Sequence, residues 1–209
     1  DNPAEHRLLE LSHETLEMLD AMAPEDRGQI QLLLETITRG QELDLKRFGD
    51  DNTLTALQTA VELEDYTYHV AGCVGEFWTR LTRKHCFPEA KLDDDEFLAE
   101  SARFGRGLQL VNVLRDLPRD LRNGRCYLPA DELEAVNLQP SDLLDPNMWS
   151  KLKPIYNNWI RTARTHLSAG WRYTNTVPFG QYRLRLACAW PILLGGKTID
   201  KLGATNPLQ

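Results

Sequence analysis

Cysteine is scarce in this chain of 209 residues. Cys73, Cys86, Cys126 and Cys188 form no Cys-x-x-Cys pair, and no cysteine–histidine group has zinc-ligand spacing. A zinc module and a disulfide scaffold are thereby excluded, and a reduced, intracellular compartment is the simplest reading. The five histidines, His6, His13, His69, His85 and His166, are scattered. Long hydrophobic runs are missing too. The nearest, Leu186 to Gly196, is too short to span a bilayer and contains Trp190-Pro191. The first residues, Asp-Asn-Pro-Ala-Glu-His, carry no leader pattern. Positive charge is not in excess: the formal charge is −7, which argues against a nucleic-acid footprint. Repeats, low-complexity tracts and sustained strand alternation are also missing. What remains is helical periodicity in a chain of ordinary globular composition, so an all-α single domain with a substantial core is expected.

The helical pattern predicts a first helix over Glu5 to Met22 and a second from Pro24, fading near Phe48-Gly49-Asp50. A long helical segment follows from Leu54 to about His85, then one from about Asp94 to about Leu121. Helices resume near 147–170 and 182–202. The acidic run Asp93-Asp94-Asp95-Glu96 resembles a metal site, but it stands at a helix start, where the macrodipole favours acids. Pro118 removes the hydrogen bond to residue 114, so a kink or early end of its helix is expected.

Two segments carry chemistry. In the first, Asn112, Asp116 and Asp120 stand four residues apart, which stacks three oxygen-bearing side chains on one helix face. Two carboxylates so placed can hold Mg²⁺, which in turn grips diphosphate oxygens. Carboxylate pairs at this spacing are common on solvated helices. Here, however, Arg115, Arg119, Arg122 and Arg125 are close enough in sequence to neutralise a leaving diphosphate, and the preceding turns are apolar. That combination suits a pocket with an apolar body and an ionic mouth. In the second segment, Tyr66, Val70, Cys73 and Phe77 fall on one face at helical spacing, with Gly72 and Gly75 between them. Glycines in a helix cost about 1 kcal/mol each, and they fit where another helix or a ligand comes close. The spacing favours a core stripe over a pocket wall.

Together these segments resemble the squalene/phytoene synthase family, the head-to-head prenyl-diphosphate synthases. Tyr66 with Val70-Ala71-Gly72-Cys73-Val74-Gly75 is similar to one family motif. Gln109, Asn112, Arg115, Asp116 and Asp120 are similar to its second aspartate-rich motif, with Gly124-Arg125 and Pro129 as that motif's tail. The resemblance covers nearly the whole chain. Arg183 to Pro191 with Thr198 look most like bacterial squalene synthases.

The resemblance implies an isoprenoid-synthase-type helical bundle around a central apolar cavity. It implies a prenyltransferase that condenses two molecules of farnesyl diphosphate through a cyclopropyl (presqualene) diphosphate, with Mg²⁺, and reduces the product to squalene with NADPH. Phytoene, dehydrosqualene or hydroxysqualene synthesis, and a non-catalytic binding or assembly module, are the alternatives. Tyr66 and Arg125 take catalytic roles, and Asp116 and Asp120 hold metal. Asn112, Gln109, Val70, Cys73 and Leu108 bind substrate, and Arg115 is the candidate for cofactor contact. A cytoplasmic protein is implied, with peripheral contact at the inner face of the membrane open and the oligomeric state undetermined. The family's first aspartate-rich motif is not matched in residues 1–60, where Asp44 and Asp50-Asp51 have neither its spacing nor its setting. The chain is therefore expected to be one helical domain lacking the helices that carry that motif.

Overall fold

A computed structural model describes residues 3–49 and 53–209, with side chains from residue 6. Asp50 and Asp51 lie outside the described residues. The fold is all-α. The stretch expected to be one first helix is two, α1 (Pro3–Glu10) and α2 (Ser12–Asp20), separated by a turn at Leu11. Next, α3 (Pro24–Phe48) opens with Pro at its first turn and Glu25 and Asp26 behind it, the chemistry that suits a helix N-terminus.

The segment expected to run unbroken from Leu54 to His85 divides into several pieces. A two-residue strand β1 (Thr55–Ala56) precedes α4 (Ala60–Thr67), a five-residue π-helical turn (Tyr68–Gly72) and α5 (Cys73–Cys86). Thr59 ends the extended stretch by capping α4, its hydroxyl accepting from the Glu62 amide. In the π-turn the Cys73 amide reaches back five residues to the Tyr68 carbonyl.

The longest helix, α6 (Asp94–Arg122), is the hub, packing against α5, α8 (Trp149–Thr176), α9 (Tyr182–Ala204) and the π-turn. Its acidic start is capped: Asp93 accepts from the Glu96 amide at 3.0 Å. Apolar residues point inward around much of α6, including Phe97, Phe104, Leu110, Leu114 and Leu117, as a helix enclosed by others requires. Pro118 does not end it early. The Leu114 carbonyl, which Pro118 cannot serve, accepts instead from the hydroxyl of fully buried Tyr156 at 3.0 Å.

After α6, Gly124 turns the chain at φ +77°, a conformation that favours glycine. Strand β2 (Arg125–Cys126) then pairs in parallel with β1, Thr55 opposite Arg125 and Ala56 opposite Cys126. The short helix α7 (Ala130–Glu134) and two 3₁₀ turns (Pro140–Leu144, Pro146–Met148) lead into α8. No helix is long and apolar enough to cross a membrane among the described residues.

The π-turn, α5 and α6 approach closely. A Cβ on Gly105 would stand 2.1 Å from the Ala71 carbonyl oxygen, and one on Gly75 would stand 2.3 Å from that of Ser101. The glycines inside these helices therefore serve helix–helix contact.

Candidate active site

Two cavities flank the contact between α4–α5 and α6. One is apolar, 370 Å³, and bounded by Val70, Val74, Trp78, Phe104, Leu108 and Pro191 among others. The second is polar, 160 Å³, and lined by Tyr66, Gln109, Asn112, Val113, Asp116, Asp120 and Tyr127. Tyr66 precedes Val70 by one turn, and Leu108 precedes Asn112 by one turn, so the same two elements pass from an apolar space to an ionic one.

In the polar cavity the Asn112 amide donates to Gln109 Oε1 at 3.3 Å, and Gln109 Nε2 donates to the Tyr66 hydroxyl at 3.3 Å. The Tyr66 ring lies 4.5 Å from that of Tyr127, tilted by 30°. Burial, more than any neighbour, pushes the Tyr66 phenol above its usual range, so it stays protonated at neutral pH. The half-buried Asp120 carboxyl is raised by burial and then by the charge of Asp116, against the pull of Arg125 and Arg119. Asp116 moves the opposite way. Arg115 Nε and Nη2 donate to its two oxygens at 2.8 and 2.7 Å, and this bidentate pairing holds the carboxyl low.

Arg125 reaches the site from β2, where its Nη1 stands 3.2 Å from Asp44 Oδ2. The Tyr127 hydroxyl donates to the same oxygen at 3.3 Å. Both residues were outside the expected core of the site in different ways. Asp44 has no aspartate partner at metal spacing, and Tyr127 stands past the end of the motif helix. The signal that could have found Tyr127 is its place between Arg125 and Pro129 in the motif's tail; Asp44 has no such signal in the sequence.

Gln109, Asn112, Asp116, Asp120 and Tyr66 come together as expected, while Val70 and Leu108 share the apolar cavity. Cys73 does not join them. Together with Phe77 it lines a separate 200 Å³ cavity against α3, beside Leu32, Glu76 and Arg80. The reason is the π-turn. One extra residue in the helix rotates everything after it by roughly 100°, so the expected stripe from Tyr66 to Phe77 is cut after Val70. The Cys73 thiol donates to the His69 carbonyl at 3.1 Å, and burial raises its pKa. Arg115 contacts Asp116 and is half-exposed.

Among the described residues no three acidic, histidine or cysteine side chains gather closely enough to form a metal cluster. Mg²⁺ is commonly held by one or two carboxylates with substrate phosphates and water completing its shell. Asp116 and Asp120, one turn apart on a rigid helix, fit that pattern once Arg115 releases Asp116.

The squalene/phytoene synthase family profile matches residues 2–208. The 15-cis-phytoene synthase of Enterobacter agglomerans is 30% identical over 159 residues, covering 76% of this chain and 49% of the relative. Phytoene synthase of Daucus carota is 29% identical over 171 residues, covering 80% and 39%. The chain thus spans less than half the length of these relatives. Among solved structures, squalene synthase HpnC from Alicyclobacillus acidocaldarius superposes with a TM-score of 0.63 at 22% identity, over 90% of this chain and 62% of that one. The ligand complex of TcSQS superposes with a TM-score of 0.74 at 19% identity, over 91% and 53%. An all-α fold, a site built on a tyrosine helix and a two-aspartate helix, and a profile spanning almost every residue lead to one conclusion: the chain belongs to the squalene/phytoene synthase family.

Proposed function

We propose that this chain contributes the second-motif side of a head-to-head prenyltransferase site that condenses two farnesyl diphosphates to presqualene diphosphate and then, with NADPH, to squalene. The observation that carries the reading is the stacking of an ionic cavity on an apolar one along the same helices, with Asp116, Asp120, Asn112, Gln109 and Tyr66 around the ionic end. Enzymes of this family generally use Mg²⁺ for prenyl-diphosphate ionisation. Bound at Asp116 and Asp120, it would draw charge from the diphosphate oxygens as the leaving group departs.

The chain's own residues do the rest. Arg125, held by Asp44, and Arg115, once it leaves Asp116, offer guanidinium forks to diphosphate oxygens. The linked amides of Asn112 and Gln109 fix the Tyr66 hydroxyl, a protonated phenol able to donate to the departing diphosphate or to stand beside the reacting carbon. Val70, Val74, Phe104 and Leu108 exclude water from the allylic cation. Leu186, Trp190 and Leu194 are exposed on α9, which borders that cavity; they support a peripheral contact with the inner face of the membrane in a cytoplasmic protein.

A second reading, phytoene synthesis from a longer prenyl diphosphate without NADPH, is supported by the curated relatives, which are phytoene synthases. The test incubates the polypeptide as expressed with Mg²⁺ and farnesyl or geranylgeranyl diphosphate, with and without NADPH, followed by mass spectrometry of the extracted lipid. Squalene formed only with NADPH is expected. Phytoene from the longer substrate would favour the second reading. No diphosphate release from a folded protein would refute both and leave a binding or assembly module.

A further inference from the structure

We infer that Asp44 is a positioning residue of this site, acting through Tyr127 on Tyr66. The inference rests on the reading of the polar cavity as the diphosphate end of the pocket. Asp44 stands near the C-terminal end of α3, between Leu43 and Leu45, with its side chain only 15% exposed. Burying a carboxylate costs several kcal/mol unless its partners compensate. Here the compensation is lopsided. Oδ2 accepts from both Arg125 Nη1 and the Tyr127 hydroxyl, whereas buried Oδ1 has no hydrogen-bond partner among the described residues. Arg125 and Tyr127 share one oxygen, so the tyrosine hydroxyl is tied to the ion pair.

The consequence falls on tyrosine geometry. With its hydroxyl fixed by Asp44, the Tyr127 ring is clamped between Phe48, 5.1 Å away and edge-on, and Tyr66, 4.5 Å away. Tyr66 is held from its other side by Gln109 and Asn112. A continuous chain, Asp44–Tyr127–Tyr66–Gln109–Asn112, therefore spans the cavity from α3 to α6 and sets where the Tyr66 phenol points. Asp44 touches no reacting atom in this arrangement; it aims one that does.

The test labels the expressed polypeptide with 3-fluorotyrosine, which gives six ¹⁹F resonances, one per tyrosine. Tyr66 and Tyr127 are assigned through their Phe variants. Asp44→Asn keeps the shape and removes the charge. Both the Tyr127 and Tyr66 resonances are expected to move while the other four stay. Turnover is expected to fall about tenfold in kcat with KM within about threefold, because losing an anionic group beside the site does not weaken anion binding. Combined with Tyr127→Phe, the two losses should overlap, leaving the double variant within about threefold of the worse single one. Unmoved Tyr66 and Tyr127 resonances, or losses that multiply, overturn the inference. If Asp44→Asn does not fold, Tyr127→Phe alone decides: it keeps the Asp44–Arg125 pair and the ring, so an unmoved Tyr66 resonance overturns the inference. A wild-type protein that releases no diphosphate refutes the proposed function, and the ¹⁹F measurement still decides the role of Asp44.

Discussion

Gly105→Ala puts the close approach of α6 and the π-turn to a quantitative test. The new Cβ would lie 2.1 Å from the Ala71 carbonyl oxygen, 2.6 Å from its carbonyl carbon and 3.1 Å from Gly72 Cα. All three atoms belong to backbone, so no side-chain rotation relieves the clash. An ordinary carbon–oxygen contact needs about 3.3 Å or more, so the two elements must separate by about 1 Å. Overpacking of this kind typically costs about 1–3 kcal/mol, and the rigid partner places this site at the upper end. Alanine's better helix propensity returns about 1 kcal/mol. The expected net loss is about 2 kcal/mol, or about 4–8 °C in Tm for a chain of this size. Gly28→Ala in α3 is the control. It meets nothing within 4 Å and should stabilise by about 0.5–1 kcal/mol. Chemical denaturation of the two variants and the wild type measures both effects. The separation would also stretch the 3.3 Å link from Gln109 to Tyr66, so any turnover should fall as well. A Gly105→Ala protein as stable as Gly28→Ala would refute the account of this interface.

Three further outcomes are expected. Tyr156→Phe leaves the Leu114 carbonyl, already freed by Pro118, without its donor in a buried setting; a loss of about 1–3 kcal/mol in urea unfolding is expected, and no loss would mean that the hydroxyl does not serve the proline gap. Asp116→Ala and Asp120→Ala should each reduce diphosphate release by about 100-fold or more while the unfolding midpoint stays within experimental scatter, and retained turnover in both would remove the metal assignment. His166 is held near pKa 4 by burial and by Arg103 and Arg106, below its ordinary 6.5. Between those values the unfolded chain binds the proton and the folded one does not, so stability is lost as pH falls from about 6.5 towards 4. Discounted for partial exposure, the loss at pH 5 is about 1 kcal/mol, and it should be missing from His166→Gln when unfolding is followed at pH 7.5 and pH 5. Parallel pH profiles of the two proteins would contradict the assignment.

Much of this arrangement is legible in the sequence because it follows from local rules. The caps, the acidic helix start and the i, i+4 ladder of Asn112, Asp116 and Asp120 each depend on residues within one or two turns, and the structure builds them where the spacing puts them. The losses have a common origin in effects that local periodicity does not encode. A single extra residue in the π-turn moves Cys73 and Phe77 to the α3 side, and nothing in Tyr68-His69-Val70-Ala71-Gly72 announces it. Past Pro118, the carbonyl that α6 leaves free at Leu114 is satisfied by Tyr156, 42 residues further along the chain than Leu114. Asp44 is isolated in sequence and meets Arg125 and Tyr127 across 81 and 83 residues. The early break at Leu11 is likewise invisible, since the leucines on either side keep helical spacing.

The β1–β2 pairing has a bearing on the order in which the molecule assembles. Thr55 and Arg125 are 70 residues apart in register, and closing a loop of that size costs about 4 kcal/mol of chain entropy before any contact compensates it. The Leu57 amide donates to the Cys126 carbonyl at 3.0 Å, and Ala130 donates back to Leu57 at 2.7 Å. These few bonds carry Arg125 and Tyr127 to the segment that leads into Tyr66. The helices can form from local contacts, and this closure brings Arg125 and Tyr127 to the polar cavity between α4 and α6. During refolding, protection of the Leu57 amide against hydrogen exchange should lag behind that of α6 and α8, and its appearance should time the moment at which the chain acquires a site.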